Sequence, residues 1–435
     1  IRGSGQIGVG LLGLVNQGTI KADQAAALTI NPSAAGVTNT SHLRAEAGAT
    51  LRLSNGTFTN TTGVIAALGT GSVVEFNAAT ITNGTLTSDA GAALRHTGSS
   101  TFNDITLSPG SSLQILNATG AHFGGTLVNQ ATVALTSAGN FTDFILGGNV
   151  TLDGGGTVSL GNNVNNRIYS DVTDSRLTNK NNTIEGSGQI GVGLMGLLNQ
   201  STIKANQATA LIIDPSSAGV TNSGLLRADS GATLQLQNGA ITNTGGTIEA
   251  FGTGSVVNFH SASVTNGLLR SSDGGVLRNT LGSTFTDIFL TSGSTLQIPN
   301  ATSATFTGTL TNGGVVQLLS AGNFTDFLVG TGGVTLVGGV VDLGGNVNNR
   351  IYSPSGTTTL INQSALLRGA GQIGVGLTRI DNRAVIDANL AGATLTLDPS
   401  ASGAVNTGLL TSSNGGILRL HGGTYDNTGG SIIAG

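Results

Sequence analysis

Short runs along this chain alternate apolar and polar residues. Ala49–Leu53 (ATLRL), Ser72–Phe76 (SVVEF), Ala92–His96 (AALRH), Ser112–Leu116 (SLQIL) and Thr132–Thr136 (TVALT) follow that pattern, with Val73, Leu94, Leu113, Ile115, Val133 and Leu135 among the apolar members. A period of two belongs to a strand with one buried face. The segments between the runs are short and rich in Gly, Asn and Thr, which are poor helix formers. The pattern predicts an all-β chain.

The strands recur at two periods. Segments close on an apolar residue at Ile20, Leu43, Ile65, Leu86, Leu107, Leu127 and Leu146. Those positions fall roughly 20 residues apart, a repeat length that reads as a solenoid. Over a longer range, IRGSGQIGVG at Ile1 returns as IEGSGQIGVG at Ile184 and LRGAGQIGVG at Leu367, the same interval both times. About nine turns of about 20 residues fit that unit. Sandwich domains run nearer about 100 residues, so a parallel β-helix fits better. The expectation is about 21 coils rising about 4.8 Å each, a rod roughly 100 Å long. It divides into unit 1 (1–183), unit 2 (184–366) and a partial unit 3 (367–435) of one continuous solenoid.

The bends and the core have their own signals. Asn55-Gly56, Asn83-Gly84 and Asn238-Gly239 suit corners with positive φ. Asn16 in NQGTI and Asn60 in NTTGVI stand at the same place in their turns, where amides can ladder from coil to coil. Phe58 corresponds to Ile241 and, after a one-residue shift, to Tyr425, as expected of an interior position that asks only for bulk. Phe141 and Phe144 recur as Phe324 and Phe327. Core packing is expected for both, with an exposed aromatic platform as the alternative.

Composition narrows the class. Gly supplies 70 of 435 residues and charged residues only 9%, against about 25% in ordinary globular chains. Mean hydropathy of +0.19 argues against disorder. Gly follows no three-residue period, which excludes collagen. Net charge is −4 with 17 Lys and Arg and no basic patch, so a nucleic-acid partner is not expected. There is no Cys, hence no disulfide or thiolate chemistry. No apolar run reaches the about 18 residues a membrane-spanning helix needs. The chain opens inside a motif and reads as a segment of something longer.

Candidate chemistry is sparse. Asp104 and Asp143 recur as Asp287 and Asp326. A glycosidase wants two carboxylates about 5 to 9.5 Å apart, and these two lie about two coils, roughly 10 Å, apart along the axis. Their strings, FNDI and FTDF, place them where a short polar side chain caps a bend, and that role is expected. Other acids vary between copies: Glu46 becomes Asp229 and then Ser413, and Glu75 becomes Asn258. The five His residues are scattered. Structural calcium is the one ion left open, beside Asp at turns. GSGQIGVG lacks the strand, helix and ribose-binding acid of a nucleotide loop and reads as a narrow coil. Sequons at Asn55, Asn60, Asn83, Asn117 and Asn140 are what an Asn- and Thr-rich chain produces. No catalytic residue and no cofactor is assigned. The most irregular stretches are Gly161–Asn182 and Gly344–Ala365, where Arg167 and Tyr169 recur as Arg350 and Tyr352. A wider bend or a shallow side groove is expected there, in lateral contact with a neighbouring rod.

The phrases at Gly3–Gly10, Asn16–Ile20 and Gly48–Leu53, with their later copies, resemble the β-strand repeat regions of large bacterial secreted surface proteins. These are autotransporter passengers and filamentous-haemagglutinin-like adhesins. The resemblance implies a right-handed parallel β-helix at the cell surface or outside the cell, serving as a stalk, fibre or matrix filament without catalysis. Its partners would be homotypic, end to end or side by side, or further parts of a longer chain, with surface glycans as the other class. The rival reading is a carbohydrate-binding or carbohydrate-cleaving β-helix such as a polysaccharide lyase, a hydrolase or a tailspike.

Overall fold

The computed structural model describes residues 1–356 and 358–435. They form two compact units, Ile1–Val220 and Thr221–Gly435. Every element among the described residues is a strand, and every strand pair with a resolved register is parallel. The chain is a parallel β-solenoid of about 19 coils.

In Ile1–Val220 the strands stack in three columns, one for each face of the coil. One begins at Arg2–Gly3 and continues through Thr19–Ala22 and His42–Ala45. The next begins at Gly5–Ile7 and Leu28–Ile30, and the third at Leu14–Asn16 and Val37–Asn39. Coil width varies: Arg2 pairs with Lys21 in a narrow coil, and Val150 with Leu177 in a wide one. The coils are wider on average than the sequence beat suggests. The extra length is spent at corners such as Asp153–Gly156 and Gly161–Asn165. Some corners are crossed by one long bent strand, as in Thr50–Thr59, Val73–Thr82, Gly120–Asn129 and Thr142–Asp153.

The long repeat is not a whole number of coils. From Gly5 the second column climbs through Leu28, Leu51, Val74, Leu94, Leu113, Val133 and Val158 to Ile184, which is eight steps. Ile184 is the counterpart of Ile1, whose strand lies one face earlier. Each copy therefore advances by eight and one-third coils, where nine were expected, and equivalent residues return on the next face. Thr221–Gly435 shows the same advance by itself. Ala240–Thr242 heads a column through Ser263–Thr265 and Ser283–Thr286 to Ile417–Leu420. Its counterpart Tyr425–Asp426 instead stacks on Ala404–Asn406 in the neighbouring column.

Alternation decides what goes inside. In Thr19–Ala22, Ile20 and Ala22 are buried, and in Leu28–Ile30 so are Leu28 and Ile30. Each large aliphatic side chain of this kind is worth about 1.5–3 kcal/mol when taken out of water. Phenylalanine rings meet from coil to coil. Phe76 and Phe102 pack edge to face with centroids 5.1 Å apart, and Phe102, Phe123 and Phe144 stack at 5.3 and 3.9 Å. In the second unit Phe259, Phe285, Phe306 and Phe327 repeat this at 5.1, 5.3 and 4.0 Å. Phe58 is fully buried, as expected, and stacks between Val37 and Ile81.

Asparagine columns tie the corners. Asn16 Nδ2 donates to Asn39 Oδ1 at 2.7 Å, and Asn39 Nδ2 to Asn60 Oδ1 at 2.6 Å, all three side chains buried. Asn362, Asn382, Asn406 and Asn427 form a longer ladder with steps of 2.8, 2.7 and 2.7 Å. Glycine is needed beside these columns, because a Cβ at Gly63 or Gly84 would land on the Asn39 or Asn60 amide. Asn55, Asn83 and Asn238 take the positive φ expected of them, at 52°, 62° and 53°.

Candidate functional site: a repeated aromatic and arginine ridge

One corner of the first unit departs most from a narrow coil. The loops at Asn117–Thr119, Ser137–Phe141 and Gly161–Asn165 lie over one another and are stitched together. Asn117 Oδ1 accepts from the Ala138 and Asn140 backbone N–H groups at 2.7 and 3.2 Å. Asn165 Nδ2 donates to the Gly139 carbonyl at 2.7 Å, and the Ser137 N–H donates to Asn166 Oδ1 at 3.1 Å. Further along, Gln189 Nε2 donates to the Val164 carbonyl at 3.1 Å, and the Thr209 N–H donates to Asn162 Oδ1 at 3.0 Å.

On this base sits a cluster of four side chains. Arg167 donates through Nε and Nη2 to the two Asp143 oxygens, at 2.8 and 2.7 Å. Its guanidinium carbon is 3.7 Å from the centre of the Phe141 ring and 4.9 Å from that of Tyr169. The hydrogen bonds to Asp143 raise the Arg167 pKa still further, against the opposing effect of burial. Burial first, and then the Asp143 charge, raise that of Tyr169. The pair is thus fixed as a neutralised salt bridge with an aromatic ring on it.

The second unit holds the same arrangement. Arg350 meets Asp326 at 2.7 and 2.8 Å, Phe324 at 3.7 Å and Tyr352 at 4.8 Å. Asn300, Asn348 and Asn349 make the matching loop contacts.

Three expectations need correction or refinement. Phe144 is core, but Phe141 is not: it leaves 54% of its surface exposed, as does Phe324. Phe141 stands one residue before the strand Thr142–Asp153 and, three positions from inward-facing Phe144, continues the outward side of its alternation. Asp143 does not cap a bend. It sits in a strand, buried beneath Arg167. Asp104 does hold a corner, with φ 51°, but its carboxylate accepts from the Thr126 N–H of the next coil at 2.9 Å. Each carboxylate is engaged by its own partner, and Asp104 and Asp143 stand toward opposite ends of one face rather than facing each other. Asn16 and Asn60 belong to the ladder described above. Arg167, Tyr169, Arg350 and Tyr352 lie in the strands Asn166–Ser170 and Asn349–Tyr352 that leave the wide corners.

Sequence reasoning missed the stacking of Arg167 on Phe141. The signal was present: SAGNFTDF and NVNNRIYS return unaltered in the second copy while the segment between them changes. It also missed the buried His96. Its ring Nε2 accepts from the Ser100 N–H at 3.0 Å, which places the proton on Nδ1, 3.0 Å from Thr119 Oγ1. Desolvation, and then the nearby His122, lower its pKa to about 4.

Among the described residues no group of three or more His, Cys, Asp or Glu side chains is placed to hold a metal ion. No helix among them is long and apolar enough to cross a membrane. By fold the chain is a repeat protein of the parallel β-solenoid class. No protein-family model matches it, and neither a curated protein nor a solved structure does.

Proposed function

We propose that this chain is an extracellular structural or adhesive segment of a large repetitive bacterial surface protein, acting as a spacer or matrix filament without catalysis. One observation carries the reading. Within each unit coil pairs with coil in parallel, reinforced in places by stacked Phe and laddered Asn, so that length grows by adding copies of what already stacks. Backbone hydrogen bonds between coils lie along the direction of growth and bear load. Only 9% of residues are charged, so the flanks of neighbouring filaments can approach closely. Partners would be further copies, end to end or side by side, or the remainder of a longer chain.

Negative-stain electron microscopy of the native protein tests this. Slender rods or continuous filaments are expected. Isolated compact globules would overturn it. Tight, selective sugar binding by one isolated site, or cleavage of a polysaccharide, would replace it with the carbohydrate-active reading.

A further inference from the structure

We propose that the ridge at Phe141 and its copy at Phe324 is a recognition surface for a neutral polysaccharide, one sugar ring stacking on the free face of each phenylalanine. The inference goes beyond the filament role and does not depend on it.

Four observations point this way. First, Phe141 is held and presented at once. Arg167 stacks on one side of the ring at 3.7 Å, yet 54% of the residue remains exposed. A ring backed by a guanidinium and open on its other side offers a flat apolar face of the kind that the C–H face of a sugar covers. Second, the loops beside the ring are polar and uncharged. Ser137–Phe141 and Gly161–Asn165 contain no charged residue, and the charges of the first copy's Asp171 and His122 lie on the Tyr169 side and pair with each other at 3.0 Å. Asp143 cancels the Arg167 charge through both of its oxygens, so an anionic ligand gains little here.

Third, the apolar part of the patch is small. Phe141 and Val164 are its exposed apolar side chains, and half a phenylalanine is about 100 Å², a single-ring platform rather than a broad apolar docking face. Fourth, the cluster is retained where its surroundings are not. Between the two retained strings the copies diverge and slip in register, with Gly125 pairing with Val150 but Gly308 with Val334. The cluster nevertheless returns to the same geometry. The guanidinium lies 3.7 Å from the Phe ring in both copies, and 4.9 and 4.8 Å from the Tyr ring.

A single stacked ring binds weakly. One site per copy suits a repetitive chain meeting a repetitive ligand, where avidity multiplies weak contacts.

The test is affinity electrophoresis of the full chain through gels containing dextran, mannan, galactan or a β-glucan, with heparin as the anionic control. The expected result is retardation by at least one neutral polymer. It should be weakened about tenfold or more by Phe141→Ala or Phe324→Ala, abolished by the double variant and kept by Phe141→Tyr/Phe324→Tyr. The double alanine variant should stay folded and melt cooperatively close to the parent, with only the small drop expected from losing two exposed arginine–phenylalanine stacks, since both rings lie outside the core. Retardation by none of the neutral polymers, by heparin alone, or equally in the double alanine variant would overturn the proposal. So would self-association in sedimentation velocity that the double variant removes, because the ridge would then belong to a second copy. Rods in the microscope without retardation would sink this inference and leave the filament reading standing.

Discussion

The coil that carries His96 and the coil that carries Asn279 hold the same place in successive copies and solve one problem with different chemistry. Both side chains are fully buried. His96 Nε2 accepts from the Ser100 N–H at 3.0 Å, and Asn279 Oδ1 accepts from the Ser283 N–H at 3.1 Å. On the other side Nδ1 of His96 faces Thr119 Oγ1 at 3.0 Å, while Asn279 Nδ2 donates to the Ser303 carbonyl at 3.0 Å. The site needs one buried acceptor and one buried donor. It does not need a group that titrates. Satisfying the backbone is the shared requirement, and sensitivity to acid is an accident of how one copy meets it.

The same comparison can be pressed elsewhere, beginning where the largest effect is expected. Phe123 and Phe306 occupy equivalent stacked positions with nearly equal ring spacings. Replacing either by Ala should cost about 3–5 kcal/mol, read from urea melts with a hydrogen-exchange readout on each unit. Unequal costs would break the equivalence of the two cores.

Acid should then separate the copies. The folded pKa of His96 is about 4, below the ordinary 6.5. The unfolded chain therefore binds the extra proton first. The stability is fully present above about pH 6.5 and is lost as the pH falls through 4, amounting to about 3 kcal/mol. The charged neighbourhood acts in the same direction, through His122, which is itself 3.0 Å from Asp171. The corresponding residues in the other copy are Thr305 and Pro354. The protection factors of amides near Ser100, corrected for the slower intrinsic exchange in acid, should fall on acidification while those near Ser283 hold. His96→Asn should abolish the difference, and Asn279→His should create it in the second unit. Equal acid sensitivity at both sites would show that burial of His96 is not its source.

A smaller effect sharpens the view of the asparagine columns. Asn39 sits inside a ladder and both donates and accepts along it. Asn39→Ala should cost about 1–3 kcal/mol by leaving the buried Asn60 Oδ1 without its donor, while Asn16 Nδ2 keeps the Gly18 and His42 carbonyls, measured by the same urea melts. Asn382, inside the second unit's ladder, should behave alike. The smallest effects belong to the outward ion pairs between coils. Lys21 with Glu46 at 2.9 Å and Arg52 with Glu75 at 2.7 Å should each contribute about 0–1 kcal/mol, fading in salt.

Much of the architecture was legible in the chain because its rules are local. Two-residue alternation, Asn-Gly corners and a regular beat of short strands each follow from backbone chemistry, and Ile20, Leu43 and Phe58 lie where that pattern puts them. The coil width was less legible, since it depends on how far each corner swings out, as at Gly161–Asn165, and no local propensity sets that. The side of the sheet on which Phe141 falls could have been read from parity with Phe144. Burial of Asp143 could not, because it comes from Arg167, its partner on the following coil, folding down over a position that alternation alone would leave in solvent. His96 was invisible for a similar reason. The sequence places it at the end of an alternating run, and only the closed coil shows that the run ends indoors.

The fractional advance of the repeat has a consequence for valency. Within Ile1–Val220, eight and one-third coils carry the start of the repeat roughly 40 Å along, from Ile1 to Ile184 on the adjoining side. A filament assembled from this repeat alone would need three copies before an element faced its original direction again. Its sticky points would be dealt out evenly around the shaft instead of lining up along one edge. Such a shaft has no preferred side.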